Sequence, residues 1–209
     1  VAGDFTGDGR TDLIVLNTLN DNVQVIRGLD AVLPQVTSVN QPSGTNTETM
    51  VARFDHPEGF GSFSVVNILI NNFLDGRNAC YVAYDSPNNV LYLVRDAGGG
   101  IDGAVLGTAT TLANSQCRIN IAASSAQKSG NTLTLNLNIE YLPAGFAGRK
   151  VVWGAARDSA NRNSGWVPRS VRNVQAAVPP PLRTVSITPG FGNTATQQFS
   201  IVYTNTGGG

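Results

Sequence analysis

The sequence predicts an all-β chain folded as a β-sandwich or barrel, and three observations carry this. Short runs rich in β-branched and aromatic residues recur at 13–17, 23–27, 35–40, 48–54, 63–70, 79–84, 90–95, 118–122, 131–139, 150–157, 170–175, 184–188 and 196–203. Turn chemistry separates them, as in Asp55-His56-Pro57-Glu58-Gly59, Asp75-Gly76, Ser86-Pro87-Asn88-Asn89, Gly98-Gly99-Gly100 and Ser129-Gly130-Asn131. No stretch sustains a helical period. Alternation is clearest at Thr132–Ile139, where Leu133, Leu135, Leu137 and Ile139 fall on one face.

The first element is a loop. Asp4, Thr6, Asp8 and Asp12 place oxygen-bearing side chains at regular spacing, Arg10 can add its backbone carbonyl, and Gly9 allows a sharp bend. A hard cation such as Ca²⁺ takes about six to eight oxygens around one point, which this spacing suits. The loop is not an EF-hand, because Val15 stands where that loop would need its bidentate Glu. Leu13-Ile14-Val15-Leu16 follows as a strand. The run from Val1 to Leu13, with Asn22-Val23-Gln24-Val25-Ile26-Arg27-Gly28 after it, resembles the FG-GAP/VCBS repeats that form the blades of integrin-type propellers. Thr6 stands where that family usually has Asn or Asp. The resemblance covers about the first 30 residues and implies a calcium-loop β-hairpin. The chain opens at Val1 inside the motif, so a fragment or processed product is expected.

Residues 34–176 follow as the main domain. The segments Phe54-Asp55-His56-Pro57-Glu58-Gly59-Phe60, Val66-Asn67-Ile68-Leu69-Ile70-Asn71-Asn72, Ala79-Cys80-Tyr81-Val82-Ala83-Tyr84, Asn131-Thr132-Leu133-Thr134-Leu135 and Ala156 to Trp166 resemble an immunoglobulin-like sandwich of the type that follows VCBS repeats in large exported bacterial proteins. Cys80 and Cys117 do not have the Cys…Trp…Cys spacing of an antibody domain. In an exported chain the pair reads most simply as one disulfide, with two buried thiols as the alternative. There is no Cys-x-x-Cys of a redox pair.

Residues 177–183 hold Pro179-Pro180-Pro181, a stiff polyproline spacer. Beyond it the sequence repeats itself. Pro42-Ser43-Gly44-Thr45-Asn46-Thr47-Glu48-Thr49 compares with the segment from Pro189 to Thr196, and Met50, Ala52 and Phe54 with Phe199, Ile201 and Tyr203. The period is domain-sized, with a short insertion in the second copy, so a tandem array of domains is expected. Residues 184–209 supply only the first strands of that second copy. They would be frayed, docked on a neighbour or paired with another chain.

Composition sets the outer bounds. The chain has 209 residues, 41% of them apolar, only 13% charged, and a formal net charge of zero. That is long enough for one good core. Without a basic patch, neither nucleic acid nor an anionic membrane surface is an expected partner. No apolar run reaches transmembrane length. One His and two Cys make a zinc site improbable on ligand supply alone.

Little else points to chemistry. His56, the single histidine, sits in a turn and is expected to be exposed and inert. No Gly-x-Ser-x-Gly is present, and Glu48, Glu58 and Glu140, the three glutamates, show no sign of converging as a glycosidase pair. No enzyme activity is expected. Asp55, Glu58 and Asp158 are candidates for a second cation if their loops share one end of the sandwich; ordinary Asx turns are the alternative. Trp153 and Trp166, with Tyr81, Tyr84, Tyr92 and Tyr141, are candidates for a sugar-stacking platform; Trp153 reads as core and Trp166 as half-exposed, which makes Trp166 the candidate glycan contact. The expected protein is therefore a non-enzymatic, calcium-stiffened component of an extracellular stalk, adhesin or filament, whose partners are copies of itself or surface glycans. The alternatives are a carbohydrate-binding accessory module and a subunit that polymerises by β-strand addition.

Overall fold

The computed structural model describes residues 1–5, 11–17, 22–26, 32–40, 45–177 and 183–204. These are all-β. A small antiparallel sheet comes first, formed by β1 (Ala2–Gly3), β2 (Asp12–Asn17) and β3 (Asn22–Ile26) in that order. The sandwich follows with β4 (Gln35–Asn40), β5 (Thr47–Asp55), a 3-10 turn at Phe60–Ser62, β6 (Phe63–Asn71), β7 (Cys80–Asp85), β8 (Val90–Val94), β9 (Ile101–Val105), β10 (Thr111–Ala113), β11 (Cys117–Ser129), β12 (Thr132–Tyr141), β13 (Gly148–Asp158) and β14 (Val167–Val174). A last hairpin joins β15 (Arg183–Thr188) to β16 (Ser200–Thr204).

The sandwich has two antiparallel sheets, ordered β10-β11-β12-β5-β4 and β14-β13-β6-β7-β8-β9. Taking β4 to β8 as A, B, C, C′ and C″, and β11 to β14 as D, E, F and G, this is the strand order of a variable-type immunoglobulin sandwich, with β9 and β10 as extra edge strands. The immunoglobulin-like β-sandwich expected from the sequence is present at the level of architecture.

Alternation builds the core. Leu133, Leu135 and Leu137 of β12 lie opposite Phe54, Ala52 and Met50 of β5, and all six are buried. From the other sheet Val66, Ile68, Ile70, Val82, Tyr84, Leu91 and Val152 meet them. Val36 of β4 lies over Gly154 of β13. A Cβ on Gly154 would sit 2.6 Å from Val36 Cγ1. That contact fixes which face of β13 turns inward. Val152, Gly154 and Ala156 face the core, so Trp153 is placed on the outer face and is only half-buried, not core as the apolar run around it suggests.

Two strands escaped the sequence reading of the sandwich. β9 contains Asp102 and Gly103, which are poor strand formers, yet Gly103 is required there: Tyr92 lies across it, and a Cβ would meet the ring at 2.6 Å. β10 has three residues, too few to show a period. β11 runs past the expected 118–122 to Ser129, through an irregularity between Asn120 and Ser125.

Cys80 and Cys117 form a disulfide, with Cα atoms 5.6 Å apart. It joins β7 of one sheet to β11 of the other and lies in the core. In the chain-entropy account a loop of 37 residues contributes roughly 3–4 kcal/mol. We expect Cys80→Ala/Cys117→Ala to lower the urea midpoint and to steepen the slope, because the unfolded chain expands without the crosslink; an unchanged midpoint would show that the bridge adds nothing.

Candidate functional site

The loops around 55–60 and 158–165, whose sharing one end of the sandwich was the condition for a second cation, meet there. His56, just past β5, lies fully buried against Asp158 at the end of β13. This corrects the expectation of an exposed histidine. Its Nε2 lies 3.1 Å from Asp158 Oδ2, and its Nδ1 accepts from the Glu58 backbone N–H at 3.1 Å. The neutral tautomer with its proton on Nε2 satisfies both contacts. The Phe63 ring packs edge-on, 5.5 Å from the imidazole. Burial required a partner for the imidazole, and that partner lies 102 residues away in sequence.

Arg162 completes the cluster. Its Nε donates to Asp158 Oδ2 at 2.6 Å, its backbone N–H to Asp158 Oδ1 at 2.8 Å, and its Nη2 to Glu58 Oε2 at 2.5 Å. Asp55 points elsewhere and accepts from the Thr132 hydroxyl at 2.6 Å. So the structure brings Glu58 and Asp158 together around a guanidinium, which occupies the place a second cation would take. Burial works to raise the Asp158 carboxyl. The hydrogen bonds from His56 and Arg162, with the Arg162 charge, outweigh it and hold the group below its ordinary value of 3.8.

The clamp fixes the loop from 159 to 166, which walls a depression on the outer face of the second sheet. Register explains its shape. Trp153, Leu69 and Tyr81 form one cross-strand row; Ala155, Asn67 and Ala83 form the next; Arg157, Val65 and Asp85 the one after. Ala155 and Asn67 of the middle row make the floor. Tyr81 and Trp166, edge to face with ring centres 5.6 Å apart, make one wall, and Arg157 with Asn161 and Asn163 makes the other. The cavity holds about 330 Å³. Trp166 is half-buried here, as its sequence suggested. Arg157, Asn67, Asn161 and Asn163 were missed, because the rows exist only once three strands are in register. Tyr81, one of the aromatics the sequence offered for a sugar platform, lines the depression; it alternates with buried Cys80 and Val82 and so faces outward.

The N-terminal loop is described only at its mouth. Gly3 pairs with Asp12 across β1 and β2, which brings Asp4 and Asp12 to the two limbs. Asp12 is buried, and its Oδ2 accepts from the Phe5 backbone N–H at 3.0 Å. Thr6, Asp8 and Arg10 lie outside the described residues. Among the described residues no three His, Cys, Asp or Glu side chains gather as a metal-binding group.

The glutamates are dispersed, each with its own cation. Glu48 is buried with Tyr141, which donates to Oε1 at 2.7 Å, and with Arg172 at 3.3 Å. Glu58 holds Arg162, and Glu140 holds Arg118 at the surface. Burial raises the Glu48 carboxyl, against the Tyr141 hydrogen bond and the Arg172 charge.

Set beside known protein families, curated proteins and solved structures, the chain matches none.

The folded Asp158 carboxyl titrates lower than in the unfolded chain, so its contribution to stability is present above about pH 4 and is lost as pH falls through the lowered folded value. We expect Asp158→Asn to cost about 3 kcal/mol at pH 7, since it breaks a buried charge cluster. The variant and the parent should converge in urea titrations only at acid pH, once it has fallen through that lowered folded value. An equal gap at both pH values would mean that the charge plays no part.

Proposed function

We propose that this chain belongs to a non-enzymatic, exported surface protein built as an array of sandwich domains, a stalk, adhesin or filament component that carries load. The observation behind this is the second hairpin. The pairs Gln35–Asp55, Val36–Phe54, Ser38–Arg53, Val39–Ala52 and Asn40–Val51 of β4 and β5 recur as Arg183–Thr204, Thr184–Tyr203, Ser186–Val202, Ile187–Ile201 and Thr188–Ser200 of β15 and β16. The irregularity falls at the same step in both, between Val36 and Ser38 and between Thr184 and Ser186. Thr45 donates to the carbonyl of Thr47 at 2.6 Å, and Thr194 to that of Thr196 at 2.7 Å. Thr45, and not the Thr47 that the sequence comparison sets against it, is thus the counterpart of Thr194, and the extra residue of the second copy lies in the connection before it instead of after Thr196. Two hairpins sharing register, irregularity and turn are the first strands of two like domains.

The ties between the ends of the sandwich support a load-bearing role. Asn46 Nδ2 donates to the Gln175 carbonyl, and the Gln175 N–H donates to Asn46 Oδ1, each at 2.8 Å. Arg169 and Arg172 of β14 donate to the carbonyls of Val36 and Thr45. A pull on residues 34 and 176 would have to shear these contacts together. The disulfide supports an oxidising, extracellular setting. Calcium at Asp4, Thr6, Asp8, Arg10 and Asp12 would stiffen the N-terminal junction by offsetting the repulsion among its three carboxylates. The hairpin also favours a second reading, assembly by strand addition: Ile187, Phe199, Ile201 and Tyr203, which correspond to buried Val39, Met50, Ala52 and Phe54, are all exposed on β15, β16 and the residue before β16.

Stretching the chain by its ends tests the load reading. We expect a single cooperative rupture whose force drops in Asn46→Ala. Reduction should add the chain held by the disulfide, 37 residues or roughly 120–130 Å. Rupture at the same force in Asn46→Ala would remove the end ties from the account. For the calcium loop, thermal unfolding in excess Ca²⁺ should exceed that in EDTA, and Asp8→Ala should abolish the difference; equal midpoints in the parent would leave the loop a simple turn. For strand addition, light scattering at high concentration should show oligomers, and a strict monomer would reject it.

A further inference from the structure

The depression beside Trp166 has a combination of groups that the load-bearing role does not use. One wall is aromatic, from Tyr81 and Trp166, and the floor is Ala155 and the Asn67 amide. Three asparagines border it, and each amide offers both donors and an acceptor. Asn67 Oδ1 accepts from the Tyr81 hydroxyl at 3.2 Å, and Asn163 Oδ1 from the Gly165 N–H at 3.1 Å, so in both residues the amide oxygen is engaged and the N–H₂ is the group left to donate. Arg157 adds one positive charge. Arg77, Arg95, Arg118 and Arg162 each pair with an Asp or Glu, but among the described residues Arg157 pairs with none. Asp85, in the same cross-strand row, accepts from the Asn88 backbone and side chain instead. Arg157 is close enough to Tyr81 for its charge to act on the phenol.

Each of these groups matches a different part of one kind of molecule. The C–H face of a pyranose ring is apolar and packs on an aromatic ring. Its vicinal hydroxyls are donors and acceptors together, which is what side-chain amides complement. A guanidinium binds a carboxylate through two parallel N–H groups. A volume of about 330 Å³ lies at the small end for ligand sites, which run from about 300 to 1,000 Å³, and suits a single sugar unit. We propose that the depression walled by Tyr81, Trp166 and Arg157 binds a carboxylate-bearing sugar, a uronic acid unit of an acidic polysaccharide. The buried His56–Asp158–Arg162 cluster holds the loop that carries Asn161, Asn163 and Trp166, so the site is set before ligand arrives. The proposal is independent of the tandem-domain reading, since it uses none of the residues of the second hairpin or of the end ties.

The test is a titration of the whole ¹⁵N-labelled chain with trigalacturonate, following the Trp166 indole N–H and the asparagine side-chain amides, with the backbone amides of β12, in the other sheet, as the internal reference. Galactotriose, which lacks the carboxylates, and N-acetylglutamate amide, which lacks the ring, serve as the comparison probes. We expect trigalacturonate to shift Trp166 in a saturable way. Galactotriose should bind about tenfold more weakly or worse, the factor expected for one charge-assisted hydrogen-bonded contact. Arg157→Gln, at an exposed position that pairs with no carboxylate, should keep the parent's thermal midpoint and bind trigalacturonate no better than galactotriose. A Trp166 signal that does not move in the parent overturns the proposal. So does an Arg157→Gln variant that binds as tightly as the parent. N-acetylglutamate amide binding as tightly as trigalacturonate would overturn it in favour of an acidic peptide site.

Discussion

A slip of one residue between β5 and β12 would turn Leu133, Leu135 and Leu137 to solvent and bring Thr132, Thr134 and Asn136 inward. The sandwich rests on that register. β5 is paired on both sides, by β4 and by β12, and its inward residues Met50, Ala52 and Phe54 form the middle of the core. Once it is fixed, β4 lies where Val36 can settle over Gly154, and this contact in turn decides which side of β13 faces in. From there the outer face follows. Tyr81, Asn67, Ala155 and Arg157 become neighbours because their inward counterparts Cys80, Val82, Val66, Ile68, Gly154 and Ala156 are already committed.

The two carboxylate clusters buried in the sandwich obey a different logic. Each sits at an end of the sandwich, where strands give way to loops and backbone is available to complete a network. Glu48, Tyr141 and Arg172 occupy one end. His56, Asp158 and Arg162 occupy the other. Neither set could be half made, since a lone carboxylate at these positions would stay buried without compensation. Such networks add directional demands that apolar packing lacks, and here they set the course of the loops that leave the strands.

The sequence made the fold legible wherever one face of a strand was consistently apolar. The strand at Thr132–Ile139 could be read from alternation alone, and so could the repeat of the β4–β5 hairpin, down to the apolar positions of its second strand. The run Val151-Val152-Trp153-Gly154-Ala155 could not, because it is apolar on both faces. The choice was made by Val36, more than a hundred positions away. His56 misled for a related reason. A histidine between Asp and Pro in a turn has no local cause to be buried, and its partner lies at the end of β13. The depression beside Trp166 was legible only in its aromatic groups, Trp166 and Tyr81, since its remaining groups are separated in sequence and become adjacent through strand register. The proposed second cation at Asp55, Glu58 and Asp158 shows the same limit in reverse: the acids were visible, while the arginine that engages two of them was not.

The two sheets are tied at both ends of β6, by unlike bonds. Ile70, near one end, pairs with Cys80, whose disulfide crosses to β11. Phe63, at the other end, pairs with Asp158, whose contact with His56 crosses to the end of β5. These fastenings stand roughly 25 Å apart along the strand. One yields to electrons and the other to protons. A reducing medium would therefore loosen the sandwich at the Cys80 edge and leave the histidine edge shut, and an acidic medium would do the reverse. The direction in which the domain comes undone is thus chosen by its surroundings.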